Sequence, residues 1–444
     1  MSENSTQHTP RFETLQIHAG VEPDPHTGAR ALPIQQTTSF VFPDTESAAR
    51  RFGLEELGPI YSRLTNPTVE AVENKIAALE GGVGALAVGS GQAATSLALL
   101  NIAESGAHIV ASPQLYGGTQ NLFKHTLPKF GVRVSFVEDP DDVASWRAAA
   151  QEDTVALFGE IVANPRGDVL DVEAVSGVAR ELGVPLIVDS TLTTPYLIRP
   201  IDHGADVVVH SATKFLGGHG TAIAGVIVDA GRFDYTRYPE RFPGFSQPDE
   251  SYHGLVYGRD LGADGAFGVN LSYILKARVQ LLRDFGPALS PHNAFEINLG
   301  LETLSLRMER HVANAQRVAA HLRSHPAVRR VDYAGLDSSP SAERARRYLP
   351  RGAGSVLAFE VHGGAEAGRA LVDALELHSL VANVGDVRSL AIHPASTTHS
   401  QLSEEDQRAA GVSPGMVRLS VGLEHIDDIL ADLDQALAAA PTEG

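Results

Sequence analysis

The sequence contains no cysteine, so disulfide bridges, zinc–thiolate sites and a cysteine nucleophile are excluded. Basic residues are also scarce, because 35 Lys and Arg face 54 Asp and Glu and give a formal net charge of −19. This acidity argues against nucleic acid or an anionic membrane surface as a partner. No apolar run approaches the length of a membrane span, and residues 1–10 lack the apolar segment of a signal peptide. We therefore expect a cytoplasmic protein whose partners are small molecules.

The pattern of apolar segments indicates an α/β protein of more than one domain. From about residue 84 to residue 228, short apolar strands alternate with helices, which predicts a mostly parallel sheet covered on both faces. Residues 231–260, rich in Gly, Pro and aromatic residues, read as a long surface loop. We expect a tail over residues 1–10 within an N-terminal arm (1–60), a large domain (61–270) and a C-terminal domain (271–444). The strand candidates are Ala85–Val88, His108–Ala111, Arg133–Val137, Val155–Phe158, Leu186–Asp189, Val207–His210, Ala224–Val228, Val328–Tyr333, Ser355–Val361 and Met416–Val421.

A lysine follows one of these buried strands at a position where a charged amine would be costly. Lys214 comes four residues after the strand that ends at His210, and Ser211 and Thr213 lie just before it. Burial of an unpaired ammonium is unfavourable, whereas an amine held as a Schiff base with an aldehyde cofactor carries no such penalty. A second buried strand ends in Asp189, whose carboxylate would keep a pyridine nitrogen protonated. This pair predicts pyridoxal 5'-phosphate as a Schiff base on Lys214, with Ser211 and Thr213 bonded to its phosphate.

A glycine-rich turn, Gly89-Ser90-Gly91-Gln92-Ala93-Ala94, lies between a predicted strand and a predicted helix. The backbone N–H groups at such a helix start favour a phosphate. The turn also fits the dinucleotide fingerprint G-x-G-x-x-A, but the next strand ends in Val110-Ala111-Ser112-Pro113 without the carboxylate that would hold a ribose. The string Ser211–Lys214 matches the S-x-x-K of serine acyl-enzymes, yet their companion motifs K-T-G and S-D-N do not occur. A phosphate-binding turn is the interpretation that agrees with Lys214.

Tyr116 and Arg418 are two further candidate functional residues, whereas the pair His321 and His325 is not a candidate metal site. Tyr116, in a glycine turn, could stack on a flat cofactor ring and relay a proton, or it could be structural. Arg418 is a charge inside an apolar strand, which requires a carboxylate partner from either the protein or a substrate. His321 and His325 are spaced for a metal pair, but no third ligand is suggested, so we expect a solvated helix face and no metal.

These strings together resemble the cystathionine γ-synthase-like family of Cys/Met-metabolism enzymes that depend on pyridoxal phosphate. The similarity runs from about Phe12 to Leu437 and implies a fold-type I transferase, with a large, mostly parallel sheet and a smaller C-terminal α/β domain. It implies Lys214 and Tyr116 as catalytic residues and Asp189 as the partner of the pyridine nitrogen. The other residues that it implies are Gly91, Gln92, Ser211 and Thr213 for the phosphate, Tyr61 and Arg63 for the phosphate of a neighbouring subunit, and Asn164, Ser389 and Arg418 for the substrate.

Within the family, the likeness is greatest to the branch that joins O-acetyl-L-homoserine and sulfide. It rests on P-G-F-S-Q-P-D-E-S-Y-H-G-L at 243–255, N-V-G-D-V-R-S-L at 383–390 and, less specifically, I-H-P-A-S-T-T-H-S-Q-L at 392–402. The resemblance implies homocysteine as the product, a role in methionine biosynthesis, and a homotetramer whose active sites are shared between subunits. An O-succinylhomoserine sulfhydrylase, a cystathionine synthase, a γ-lyase and a non-catalytic protein that binds the cofactor remain alternatives.

Overall fold

The computed structural model describes residues 10–398, 400 and 411–441. Nearly all of the expected N-terminal tail, and positions 399, 401 and 402 of the third motif, lie outside these residues. The strands are β1 Gly84–Val88, β2 His108–Ala111, β3 Arg133–Phe136, β4 Thr154–Glu160, β5 Leu186–Asp189, β6 Val207–His210, β7 Gly225–Asp229, β8 Val328–Asp332, β9 Val356–Val361, β10 Ser379–Leu380, β11 Leu390–Ile392 and β12 Met416–Ser420.

Helices surround both groups of strands. The α-helices are α1 Phe12–His18, α2 Thr45–Phe52, α3 Pro67–Glu80, α4 Gly91–Leu100, α5 Gly117–Asn121, α6 Val143–Ala149, α7 Val172–Leu182, α8 Thr194–Leu197, α9 Pro243–Ser246, α10 Tyr257–Asp260, α11 Ser272–Lys276, α12 Arg283–Phe285, α13 Pro291–Leu301, α14 Leu304–Ser324, α15 Ala342–Tyr348, α16 Gly364–Ala374 and α17 Ile426–Ala439. Two π-helical segments, Leu122–Thr126 and Ala277–Leu282, continue α5 and α11, and short 3₁₀ turns cover Leu127–Phe130, Pro200–His203, Tyr235–Arg237, Glu250–Tyr252 and Pro394–Ser396.

The first seven strands form one twisted sheet in the order β1-β7-β6-β5-β4-β2-β3. Strands β6, β5, β4, β2 and β3 pair in parallel, and β7 runs antiparallel to both of its neighbours. The mostly parallel sheet expected from the sequence is therefore confirmed. Parallel strands place their carboxyl ends at one edge, which is where such sheets bind ligands.

The central strands are apolar because both of their faces are covered. In β5, Leu186 and Val188 join one buried cluster, and Ile187 joins a second cluster on the opposite face of the sheet. In β6, Val208 belongs to the first of these clusters and Val207 to the second. This period-2 alternation with apolar residues on both sides is typical of a parallel sheet between two helical layers.

The segment 231–260 differs from the surface loop that its composition suggested. It folds into short helical turns whose aromatic side chains are buried, including Tyr235, Phe242, Phe245 and Tyr257. The rings of Tyr235 and Phe245 stack with centroids 4.2 Å apart. Aromatic side chains remove large apolar areas from water when they are buried, so this segment packs against the rest of the domain instead of extending into solvent.

The last five strands form a second sheet in the order β10-β11-β12-β9-β8. All of its pairs are antiparallel except β10 with β11. The sequence predicted three of these strands and missed β10 and β11, which are two and three residues long. The first sheet lies within the predicted segment 61–270 and the second within 271–444, and the boundaries themselves stay a prediction.

Candidate active site

A cavity of about 280 Å³ lies at the carboxyl edge of the first sheet, where loops after five strands converge. Its lining includes Gly91 after β1, Tyr116 after β2, Glu160 and Asn164 at the end of β4, Asp189 at the end of β5, and Ser211, Thr213 and Lys214 after β6. The second sheet closes the cavity with Asn383, from the segment after β10, and with Arg418 of β12. Most residues singled out in the sequence are therefore brought together.

The amine of Lys214 points into this cavity. Its Nζ donates a hydrogen bond to Oδ1 of Asn383. Burial, followed by the nearby charge of Arg418, lowers the pKa of Lys214. A larger neutral fraction makes this amine a better nucleophile toward an aldehyde and a better proton acceptor.

Asp189 is a half-buried carboxyl group that lines the same cavity. Its Oδ1 accepts the backbone N–H of Thr191 at 2.8 Å, and the hydroxyl of Thr191 accepts the backbone N–H of Ser211 at 2.8 Å. Burial raises the pKa of Asp189, so a carboxylate at this position needs a cationic partner. A protonated pyridine nitrogen supplies such a partner.

The glycine-rich turn is shaped for a phosphate group. Ser90 caps helix α4 by accepting the backbone N–H of Ala93, and the turn lines the cavity at the start of this ten-residue helix. A Cβ atom on Gly91 would lie 2.5 Å from Cβ of Ser211, so only glycine permits this close approach. The hydroxyl of Thr213 donates to the carbonyl oxygen of Ala224 at 3.1 Å and would turn away from it to donate to a phosphate.

Arg418 lies across the cavity and is buried, with 8% of its surface exposed. Its guanidinium donates to the carbonyl oxygen of Asn383 at 3.0 Å and to Oδ1 of Asn164 at 3.4 Å, while its Nε has no hydrogen-bond partner among the described residues. Burial lowers the pKa of Arg418 to about 10. A buried guanidinium with an unpaired N–H is suited to bind a carboxylate.

Three predicted residues are not brought to the cavity, and their assignment stays a prediction. Ser389 is fully buried, and its hydroxyl donates to Glu424 at 2.9 Å and accepts the N–H of Gly422 at 2.9 Å. Tyr61 and Arg63 contact each other, with the guanidinium carbon 5.6 Å from the ring centroid, and neither lines the cavity of its own chain.

Glu160 and Asn383 are among the polar residues of the cavity that sequence reasoning missed. Glu160 ends a buried strand just as Asp189 does, and the same strand-end rule would have found it. Asn383 lies in the motif N-V-G-D-V-R-S-L, from which the serine was chosen instead. Nothing in the local pattern distinguishes the two positions: Asn383 lines the cavity, whereas the hydroxyl of Ser389 is bonded to Glu424 and Gly422.

The described side chains include no cluster of three or more His, Cys, Asp or Glu residues able to hold a metal ion. Within the same part of the chain, no helix is both long enough and apolar enough to cross a bilayer.

The doubly covered sheet, with the half-buried Lys214 and Asp189 in the cavity at its edge, defines a fold-type I enzyme that uses pyridoxal phosphate. A family model described as "Cys/Met metabolism PLP-dependent enzyme" matches residues 13–438. The chain belongs to this family, and the resemblance found in the sequence is confirmed.

Named relatives agree with this assignment. The chain is 55% identical to an O-acetyl-L-homoserine sulfhydrylase of Leptospira meyeri over 427 residues, which is 96% of both chains. It is also 55% identical to the enzyme of that name from Corynebacterium glutamicum over 431 residues, 96% of this chain and 97% of the other. The crystal structure of a protein assigned as an O-acetylhomoserine (thiol)-lyase from Campylobacter jejuni superposes with a TM-score of 0.91 and 40% identity, covering 97% of this chain and 100% of the other. In that structure a lysine carries the pyridoxyl phosphate group.

Proposed function

We propose that this chain catalyses replacement at Cγ, in which O-acetyl-L-homoserine and sulfide give L-homocysteine and acetate, in methionine biosynthesis. The observation that carries the proposal is the placement of Lys214, Asp189 and Arg418 around one cavity. The names of the relatives support the choice of substrates. Acetate leaves with the electron pair of its C–O bond, and the sulfur of hydrogen sulfide supplies the pair for the new C–S bond.

The bound cofactor would act as the electron sink that makes the Cα and Cβ protons of the substrate acidic. Lys214 would hold the aldehyde and, once displaced by the substrate amine, accept the Cα proton and move a Cβ proton. Asp189 would pair with the pyridine nitrogen, while the N–H groups of Gly91 and Gln92 bind the phosphate. The low pKa of the Lys214 amine favours the neutral form that this transfer requires.

Arg418 would bind the α-carboxylate of the substrate through two parallel N–H bonds and keep the Cα–H bond aligned for removal. Tyr116, whose ring is 55% exposed at the cavity, would stack on the cofactor and assist proton transfer near Cγ. Asn164, whose Oδ1 accepts a hydrogen bond from Arg418, would orient substrate or cofactor oxygens.

The charges of the cavity favour an acetyl over a succinyl leaving group. Among its described lining residues only Lys214 and Arg418 are cationic, and both are assigned to other atoms of the reactants. A succinyl group would bring a second carboxylate into a cavity whose described lining has no further cation to pair with it, and an unpaired buried carboxylate is costly. We place the enzyme in the cytoplasm as a homotetramer, with Tyr61 and Arg63 completing the site of a neighbouring subunit.

The test is to measure homocysteine and 2-oxobutyrate formed from O-acetyl-L-homoserine with and without sulfide, in parallel with O-succinyl-L-homoserine. Homocysteine that depends on sulfide and on the acetyl ester, with little oxobutyrate, is the expected result. Oxobutyrate as the main product would place the chain among the γ-lyases. A faster reaction with the succinyl ester would contradict the charge argument.

A further inference from the structure

The turn that carries Tyr116 has few anchors of its own. Tyr116 precedes the five-residue helix α5 and makes no capping bond with its side chain. Two glycines follow it, and a Cβ atom on Gly117 would meet nothing within 4 Å. Glycine has the largest conformational freedom of any residue, so a turn of this composition needs contacts from elsewhere to keep one shape.

Two polar side chains supply such contacts from outside the turn. Glu160 of β4 accepts the backbone N–H of Tyr116 through Oε1. Gln92, at the start of α4, donates from Nε2 to the carbonyl oxygen of Gly118 at 3.1 Å. The first bond is part-buried and comes from a residue 7% exposed, whereas the second is exposed to solvent. Glu160 is therefore the stronger anchor, because water competes less for a buried hydrogen bond.

Glu160 also lies beside the other groups of the cavity. It pairs in register with Asp189 across β4 and β5, and it lines the cavity together with Asn164. Burial, followed by the charge of Asp189, raises the pKa of Glu160. Burial and the charge of an ionised Asp189 therefore both favour the neutral form of Glu160.

We propose that Glu160 is the positioning residue of the site: it accepts the backbone N–H group of Tyr116 and thereby fixes the tyrosine ring against the cofactor. Gln92 secures the other end of the same turn. This inference rests on the cofactor assignment of the proposed function but not on the identity of the acyl group or the sulfur donor.

The experiment compares Glu160→Gln, Glu160→Asp and Glu160→Ala in the holoenzyme. Glutamine is neutral, has the length of glutamate and keeps an oxygen that can accept the N–H of Tyr116. The side chain of aspartate is one methylene shorter and does not extend to this N–H. We therefore expect Glu160→Gln to keep the wild-type kcat, cofactor affinity and visible circular dichroism of the bound cofactor, each within about threefold. Glu160→Asp and Glu160→Ala should both lose about 5- to 150-fold in kcat, the cost of leaving a buried N–H group without its acceptor. The change in KM should be smaller, and the dichroic band should be weakened.

Two further variants calibrate the comparison. Glu138→Gln, at an exposed position after β3, should leave all three measurements unchanged. Gln92→Met keeps the backbone N–H but removes the exposed bond to Gly118, so a two- to fivefold loss is expected. Thermal unfolding of each apoprotein shows whether a variant has lost stability, which distinguishes displacement of Tyr116 from unfolding of the chain.

Several results would overturn the proposal. Full activity in Glu160→Asp with loss in Glu160→Gln would show that negative charge is what matters, and equal loss in both would show that reach alone does not explain the role. An unchanged dichroic band in Glu160→Ala would show that the surroundings of the cofactor do not depend on Glu160, which also contradicts the proposal. The cofactor measurements need no substrate, so they remain decisive even if the wild-type enzyme fails to make homocysteine.

Discussion

Replacement of Arg418 by methionine tests the assignment of the substrate carboxylate most directly. The guanidinium is buried, its Nε has no hydrogen-bond partner, and no carboxylate of a described residue forms an ion pair with it. A substrate carboxylate that enters this cavity loses its hydration and depends on Arg418 for compensation. Removal of one partner from such a pair costs about 2–5 kcal/mol, which corresponds to roughly a 30- to 5,000-fold loss in kcat/KM.

The same substitution should not weaken the fold. A buried guanidinium without a counter-ion opposes folding, and a methionine of similar length fills its space without that penalty. We expect the apparent melting temperature of the apoenzyme to be unchanged or higher, and the cofactor affinity to change by less than about threefold, since Arg418 contacts Asn383 and Asn164 and not the phosphate turn.

The assay is steady-state formation of homocysteine over a range of O-acetyl-L-homoserine at fixed sulfide. Arg317→Met is the matched control, because Arg317 is 61% exposed and lies 3.9 Å from Asp427, so its removal should change kcat/KM by less than about twofold. If Arg418→Met keeps kcat/KM within threefold of the wild type, the carboxylate is bound elsewhere and the reasoning is wrong.

Three other predictions follow from the structure. Lys214→Ala should abolish turnover and the visible absorbance of the covalently held cofactor, and measurable turnover in that variant would contradict its role. Asp229 is buried, which raises its pKa from 3.8 to about 7, so the folded state binds a proton more tightly than the unfolded state and stability falls as the pH rises between these values. Asp229→Asn should therefore raise the melting temperature more at pH 8 than at pH 5, whereas the exposed control Asp234→Asn should change it little at either pH. If Tyr61 and Arg63 complete a neighbour's site, mixed oligomers of inactive Arg63→Ala and inactive Lys214→Ala should regain about a quarter of the activity, and no recovery after verified subunit exchange would refute the shared site.

Local patterns predicted the strands well where both faces are buried. Leu186–Asp189 and Val207–His210 have the predicted bounds, because an apolar run ended by a polar residue at the sheet edge is set by burial alone. The Lys214 and Asp189 pair followed from the same rule. The strand predicted at Ala224–Val228 begins one residue later, at Gly225.

The features that the sequence did not predict depend on contacts between residues that are far apart in the chain. The two-residue strand β10 exists only because β11 lies beside it. The burial of Tyr235 and Phe245 depends on Tyr273, from another part of the chain. Asn383 reaches the cavity through the placement of the second sheet, and that placement arises from packing between segments far apart in sequence.

The residues that line the cavity come from two sheets, so substitutions that alter the accepted substrate can occur apart from those that alter the reactive centre. The segments that follow the first sheet supply Lys214 and Asp189, the residues proposed to hold the cofactor, while the second sheet and its loop supply Arg418 and Asn383, of which Arg418 is proposed to bind the amino acid. Sequence drift in the second sheet can therefore alter which amino acid is accepted and leave the reactive centre intact. New substrate ranges would arise by divergence of one half of the molecule, and hybrid enzymes joined between the two sheets are the natural starting point for redesign.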